Sequence, residues 1–159
     1  MDDMRVHRIE VRPAHEAGDP RGRAMKTAAH SACLDAVPDR IDSAAIYLLE
    51  GALTDDEVRR LADELLADPV AEVATIGAAG NEACSLIEIH PQPGVMDPEA
   101  EAVEGAIEAL LNKSVTVRTG RRWDLHGIDS ASAETLARRC LSNPLIHDIH
   151  TAPHHPDAF

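Results

Sequence analysis

Aromatic side chains are nearly missing from this chain: one Trp, one Tyr and one Phe in 159 residues, or 2%. The hydrophobic fraction is still 44%, so any core must be aliphatic and rich in alanine. Small side chains remove less apolar area from water, worth roughly 25 cal/mol per Å². A half-length unit of this composition would be marginal alone, and pairing of units is the expected remedy. Positive charge is scarce as well, with 15 Lys and Arg against 28 Asp and Glu and a formal net charge of -13. That balance argues against nucleic acid or an anionic membrane as partner, because both need a basic footprint. Lysine occurs only at Lys26 and Lys113, which reads as genome or salt-habitat bias. The three cysteines, Cys33, Cys84 and Cys140, have neither an even count nor metal-type spacing. Two of them, Cys33 and Cys140, fall on apolar helix positions and read as small buried hydrophobes, in a reduced, cytoplasmic setting. No run approaches the ~20 apolar residues of a transmembrane helix, and the first eight residues carry no signal-peptide core.

An internal repeat is present. RIEVRPAHEAGDPRGRAMKTAAHSACL from Arg8 aligns without a gap to LIEIHPQPGVMDPEAEAVEGAIEALLN from Leu86, an offset of 78. Ile9/Ile87, Glu10/Glu88, Pro13/Pro91, Asp19/Asp97, Pro20/Pro98, Ala24/Ala102 and Ala28/Ala106 are identical. Met25, Ala28, Ala29, Ala32 and Cys33 follow i, i+3, i+4, i+7, i+8, one face of a helix, and Val103, Ala106, Ile107, Leu110 and Leu111 repeat it. A second helical stripe, Val58, Leu61, Ala62, Leu65 and Leu66, returns 75 residues later as Ala133, Leu136, Ala137, Cys140 and Leu141. Pro69 and Pro144 follow these stripes and stop them.

Each copy reads as β-α-β-α-β. Residues 8–12 alternate as a half-buried strand. Asp19-Pro20 and Asp97-Pro98 each give an N-cap carboxylate followed by Pro at the first helical position. Thr54 and Glu57 form a capping box, and Asp129 or Ser130 caps the matching helix. Strands are expected over 41–50 and 115–125, then over 71–76 and 146–150. A middle strand that split would give the β-α-β-β-α-β order of ferredoxin-like folds. The fold class expected is therefore α+β, two tandem β-α-β(β)-α-β units forming a pseudo-dimer. The first unit is assigned to 8–76, the linker to 77–85 and the second unit to 86–150, with loosely held tails at 1–7 and 151–159.

Three motifs of the second unit point to a family. Pro93-Gly94-Val95-Met96-Asp97-Pro98 is similar to the "K-x-G-V-x-D-P" opening of PurS, Val117-Arg118-Thr119-Gly120-Arg121 to its "V-R-x-G-K/R", and Leu141-Ser142-Asn143-Pro144-Leu145-Ile146 to its "L-A-N-P-V-I-E". The first copy keeps other parts: Asp19-Pro20-Arg21-Gly22 resembles "D-P-Q-G", while Glu16 and Ala17 replace the "G-V". The chain thus resembles PurS, the non-catalytic subunit of formylglycinamidine ribonucleotide synthetase, and paired units resemble the N-terminal part of fused, single-chain synthetases. The resemblance implies a structural subunit in purine biosynthesis. It would bridge a PurL-type synthetase subunit and a PurQ-type glutaminase subunit and support ammonia transfer between them. It implies no catalytic residue and no cofactor in this chain, ATP and Mg belonging to the synthetase partner. The motif positions become candidates for partner contact: Arg118, Gly120 and Arg121 on a strand, Asp19, Pro20 and Gly22 with Asp97 and Pro98 at helix starts, and Asn143 with Pro144 at the closing turn. Further homo-dimerisation is left open.

Other chemistry weighs little. There is no G-x-x-x-x-G-K-[ST] loop and no G-x-S-x-G elbow. Asp55 and Asp56 sit at a helix start, where the dipole accounts for them. His147 and His150 would point to opposite strand faces, a poor metal site, and His154 and His155 fall in the tail, so no metal is assigned. Arg118, Arg121 and Arg122 form a dense basic spot whose guanidinium forks suit a carboxylate or phosphate. A rival from another class is a tandem ferredoxin-like regulatory module that binds a small effector between its units.

Overall fold

The computed structural model describes residues 3–15, 18–32, 34–80 and 84–159. Glu16, Ala17 and Cys33, which the sequence reading uses, and linker residues 81–83 lie outside them. The elements are β1 (Arg5–Pro13), α1 (Pro20–Ser31), β2 (Arg40–Gly51), α2 (Asp55–Leu61), β3 (Glu72–Ile76), β4 (Cys84–Pro91), α3 (Pro98–Leu111), β5 (Thr116–His126), α4 (Ser130–Leu136) and β6 (His147–His150). Each of α2 and α4 ends in a π-helical turn, Ala62–Leu66 and Ala137–Leu141. The Ala67 amide donates to the Ala62 carbonyl at 3.1 Å and the Ser142 amide to the Ala137 carbonyl at 3.0 Å. The two halves thus repeat one order of elements, down to this wide final turn.

All strands join one antiparallel sheet of order β3-β1-β2-β5-β4-β6. The long middle strands do not split. They pair with each other from Arg40↔His126 to Glu50↔Thr116, and this unbroken ladder keeps each of them whole. The result is α+β with six antiparallel strands and four helices.

Strand alternation assigns the faces. Odd-numbered residues of β1, β2, β4 and β5 meet the helices, and even-numbered ones face away. On the helix side lie two cores. One joins Ile9 and Val11 of β1, Tyr47 and Leu49 of β2 and Val58, Leu61 and Ala62 of α2 with Ala100 and Ile107 of α3 and Val117 of β5. The other joins Ile87 and Ile89 of β4, Trp123 and Leu125 of β5 and Ala133, Leu136 and Ala137 of α4 with Ala29 of α1 and Ile41 of β2. Position by position these are the same core. Each one is completed by the first helix of the other half. The helices have crossed over.

The buried helical stripe is narrower than the sequence pattern. Gly22 and Ala29 of α1 are buried and Met25 half-buried, while Ala28 and Ala32 are exposed. In α3, Ala100 and Ile107 are buried and Leu110 is exposed. The cause is close approach at the helix start: a Cβ on Gly22 would lie 2.0 Å from the Ile41 carbonyl oxygen. The first turn therefore lies closest to the sheet, and Ala29 keeps the later turn in the core. No described helix is long and apolar enough to cross a membrane.

Candidate functional site

The Asp-Pro motif does the same local job twice. Asp19 accepts from the Gly22 amide at 2.9 Å, capping α1, and from the Ser43 amide at 2.6 Å and hydroxyl at 2.9 Å. Asp97 accepts from the Ala100 amide at 3.1 Å, and from the Thr119 amide at 3.0 Å and hydroxyl at 2.9 Å. One carboxylate thus caps a helix and pins it to the middle strand. Ser43 and Thr119 are equivalent by this contact, an offset of 76. The same offset carries Ala45 to Arg121, and these two residues face each other across β2 and β5. The pseudo-twofold axis therefore passes between Ala45 and Arg121. The starts of α1 and α3 flank it.

The expected basic spot does not form. Arg118 lies on the even face, its guanidinium 4.4 Å from the Phe159 ring centroid. Arg121 points to the helix side, into a cleft of about 440 Å³ with Tyr47, Glu99 and Arg21. Arg122 is fully buried and bound to Glu10 at 2.9 Å and Asp124 at 2.9 Å. Strand alternation alone separates Arg118 from Arg121, so the two cannot contact one flat partner surface together. Asn143 and Pro144 are exposed at a distant turn, where the Asn143 side chain accepts from the Leu145 amide at 3.1 Å. Asp68 makes the matching contact with the Val70 amide at 2.8 Å. The residues that follow these two turns are strongly exposed and apolar: Val70 at 89% and Leu145 at 84%.

The even face holds a feature that the sequence reading missed. Arg8 reaches over β2 and β5 to pair with Glu88, bonding Oε2 at 3.1 Å and Oε1 more closely, and it also bonds Glu10 at 2.7 Å. Arg8, Glu10, Glu88 and Arg122 are all buried to 1% or less exposure. Arg12 joins Glu10 at 3.0 Å, and His90 Nε2 lies 3.0 Å from Glu88. Burial alone would push the Glu88 carboxyl up; hydrogen bonds from His90, Arg8 and the His154 amide outweigh it and hold the group at about 2. The signal was in the sequence: Glu10 and Glu88 are identical between copies and stand on the strand face where divergent solvent residues belong.

The tail lies over this network. The His154 amide donates to Glu88 at 2.9 Å, the His154 carbonyl accepts from Arg8 at 2.8 Å, and the Phe159 amide donates to Glu50 at 3.0 Å. Phe159 also packs on Val6, Ile46 and Leu48. His150 and His154 stack with ring centroids 4.2 Å apart, and His90 meets both edge-on. Burial, then the neighbouring imidazoles, lowers the pKa of His150 and His154. His147 stays apart and accepts from the Asn143 amide at 3.0 Å. Among the described residues no group of three or more His, Cys, Asp or Glu is placed to hold a metal ion.

Gly120 makes room for this cluster, since a Cβ there would fall 2.3 Å from the His90 ring. Gly120→Ala is expected to displace His90 from Glu88 and to cost about 1–3 kcal/mol, read as a lower midpoint in urea. An unchanged midpoint would mean that the ring shifts at no cost.

The Asp97 cap, the Gly120 gap and the Asn143 turn all stand in the second half, in the order already noted. Residues 85–153 match the PurS family, described as phosphoribosylformylglycinamidine (FGAM) synthase. The PurS match runs from β4 through β6 into the tail, and residues 1–84 lie outside it. It associates this segment with FGAM synthase and purine biosynthesis. A search of curated proteins found no significant match. In the matched segment Asp97 and Gly120 thus have architectural roles, pinning α3 and seating His90.

Proposed function

We propose that the chain serves FGAM synthase as an assembly subunit, two PurS units in one polypeptide that bridge the synthetase and glutaminase subunits and support ammonia transfer. The observation that carries this is the PurS match over 85–153, joined to a first half with the same β-α-β-α-β order and the same Asp-to-middle-strand pin. A pseudo-dimer in one chain offers two related but unequal ends. Val70 marks one and Leu145 and Ile146 the other, and exposed apolar residues of this kind suit docking of a partner. Arg118 and Arg121, on opposite faces, would belong to separate contacts.

The test is amidine formation by the cognate synthetase and glutaminase, with and without this chain. Glutamine-dependent turnover is expected to rise when the chain is added, while ammonia-dependent turnover stays nearly level. Equal turnover with and without the chain, at both low and high salt, would sink the bridging role.

A further inference from the structure

The cleft at the pseudo-twofold axis has an unbalanced set of hydrogen-bonding groups. Three carboxylates line it, and each already has a donor. Asp19 holds Ser43 and the Gly22 amide, Glu99 accepts from the Tyr47 hydroxyl at 2.7 Å, and Glu72 accepts from the Asp68 amide at 2.9 Å. Two guanidinium groups line it as well, Arg121 from β5 and Arg21 from the first turn of α1. Among the described residues neither makes a hydrogen bond or a close ion pair. Arg121 is half-buried; burial first, then the charge of Arg21, lowers its pKa, and the nearby Glu99, Tyr47 and Asp19 offset this only in part. A half-buried guanidinium held by no direct ion pair leaves its fork open to an anion placed between the two groups.

The axis explains why the space is open. Ala45 stands opposite Arg121, at the position that would hold a second arginine if both halves carried the same strand motif. The methyl group leaves room where a long side chain would fill the cleft and repel Arg121. The resulting volume, about 440 Å³, is within the usual range for small-ligand pockets. Tyr47, hydrogen-bonded to Glu99, sits at its wall.

We propose that this cleft binds the phosphate of a small phosphate monoester, with Arg121 and Arg21 as its two forks. A monoester carries close to two negative charges near neutral pH and presents three acceptor oxygens, which matches two guanidinium groups better than a single carboxylate does. The site is independent of the bridging role, since it needs no partner subunit.

The experiment uses the full chain and glycerol phosphate, with succinate as a carboxylate control and sodium chloride matching ionic strength. Saturable binding of glycerol phosphate by calorimetry is expected, with a Kd at or below about 1 mM, together with a rise in Tm. Arg121→Ala should weaken binding roughly tenfold or more. Arg21→Ala, an exposed position where folding is not in question, should weaken it also. Absence of saturable binding, or binding kept by both variants, overturns the site. Succinate binding as tightly as glycerol phosphate overturns the phosphate assignment and turns the cleft into a seat for a partner's acidic side chain.

Discussion

Halves made by cutting the chain between residues 80 and 84 are expected to be unfolded when separate and to fold when mixed. The first half alone would keep β1, β2, α2 and β3 but lose Ala100, Ile107, Val115 and Val117 from its core. The second would lose Met25, Ala29 and Ile41. Fully burying a Val, Leu or Ile side chain contributes about 1.5–3 kcal/mol, and a whole domain holds only about 5–15 kcal/mol. The three Ile and Val losses of the first half, about 4.5–9 kcal/mol together, reach that margin, and the second half loses Ile41 and part of Met25 besides its pairing edge. Each half would also expose the long edge of β2 or β5, which pairs from Arg40 to Glu50 against Thr116 to His126 in the intact chain. Far-UV circular dichroism of each half and of the mixture decides it. A cooperative melt from either half alone would mean that the two units, as bounded at 8–76 and 86–150, are independent domains.

Arg8→Met should destabilise the protein by about 3–5 kcal/mol, because it leaves Glu10 and Glu88 buried without their shared partner. Adding Glu88→Gln to that variant should recover part of the loss, since Arg8 is the arginine that pairs with Glu88, whereas Glu10 keeps Arg12 and Arg122. Urea melts of the single and double variants would show this; a single variant within 1 kcal/mol of the parent, on the order of a surface substitution, would show that the network contributes nothing. The same network sets the acid response. The Glu88 pKa is lowered on folding from the usual 4.5 of a glutamate to about 2, so its contribution is complete above 4.5 and disappears as pH falls toward 2. His7, His150 and His154 are also lowered, from 6.5, so protonation favours the unfolded chain and stability should begin to fall below that pH. Acid unfolding should therefore show an early shallow decline and a later steep one, and the double variant should reduce only the later one.

The parts of this fold that are local were readable from the sequence. Asp19-Pro20, Asp97-Pro98 and the Thr54–Glu57 box each act over three or four residues, and each forms as its chemistry dictates. Strand phase was readable for the same reason, because Ile9, Val11, Ile87 and Ile89 alternate with polar neighbours. What pairing in one sheet does to those elements was not. The crossing of α1 and α3 onto the opposite half depends on which strands become neighbours, and no window of sequence contains that. The basic spot failed on phase: Arg118, Arg121 and Arg122 are close in sequence, but spacings of three and one put them on different faces. Glu10 and Glu88 looked solvent-facing because their partners, Arg8 and Arg122, come from strands that become close only when the sheet is assembled.

The crossed helices also set the order in which the protein can be finished during synthesis. When β3 has emerged, the first core still lacks α3, which begins at Pro98 and supplies Ile107. At roughly 5–20 residues per second, the ribosome needs a few seconds more before that helix is made. Throughout that interval α1 is held only at its start, where Asp19 meets Ser43 of β2, while Met25 and Ala29 still lack the β4 and β5 side of their core. The nascent chain therefore spends those seconds with a sheet edge and an apolar face open to other molecules, and its yield in a cell depends on what shields them.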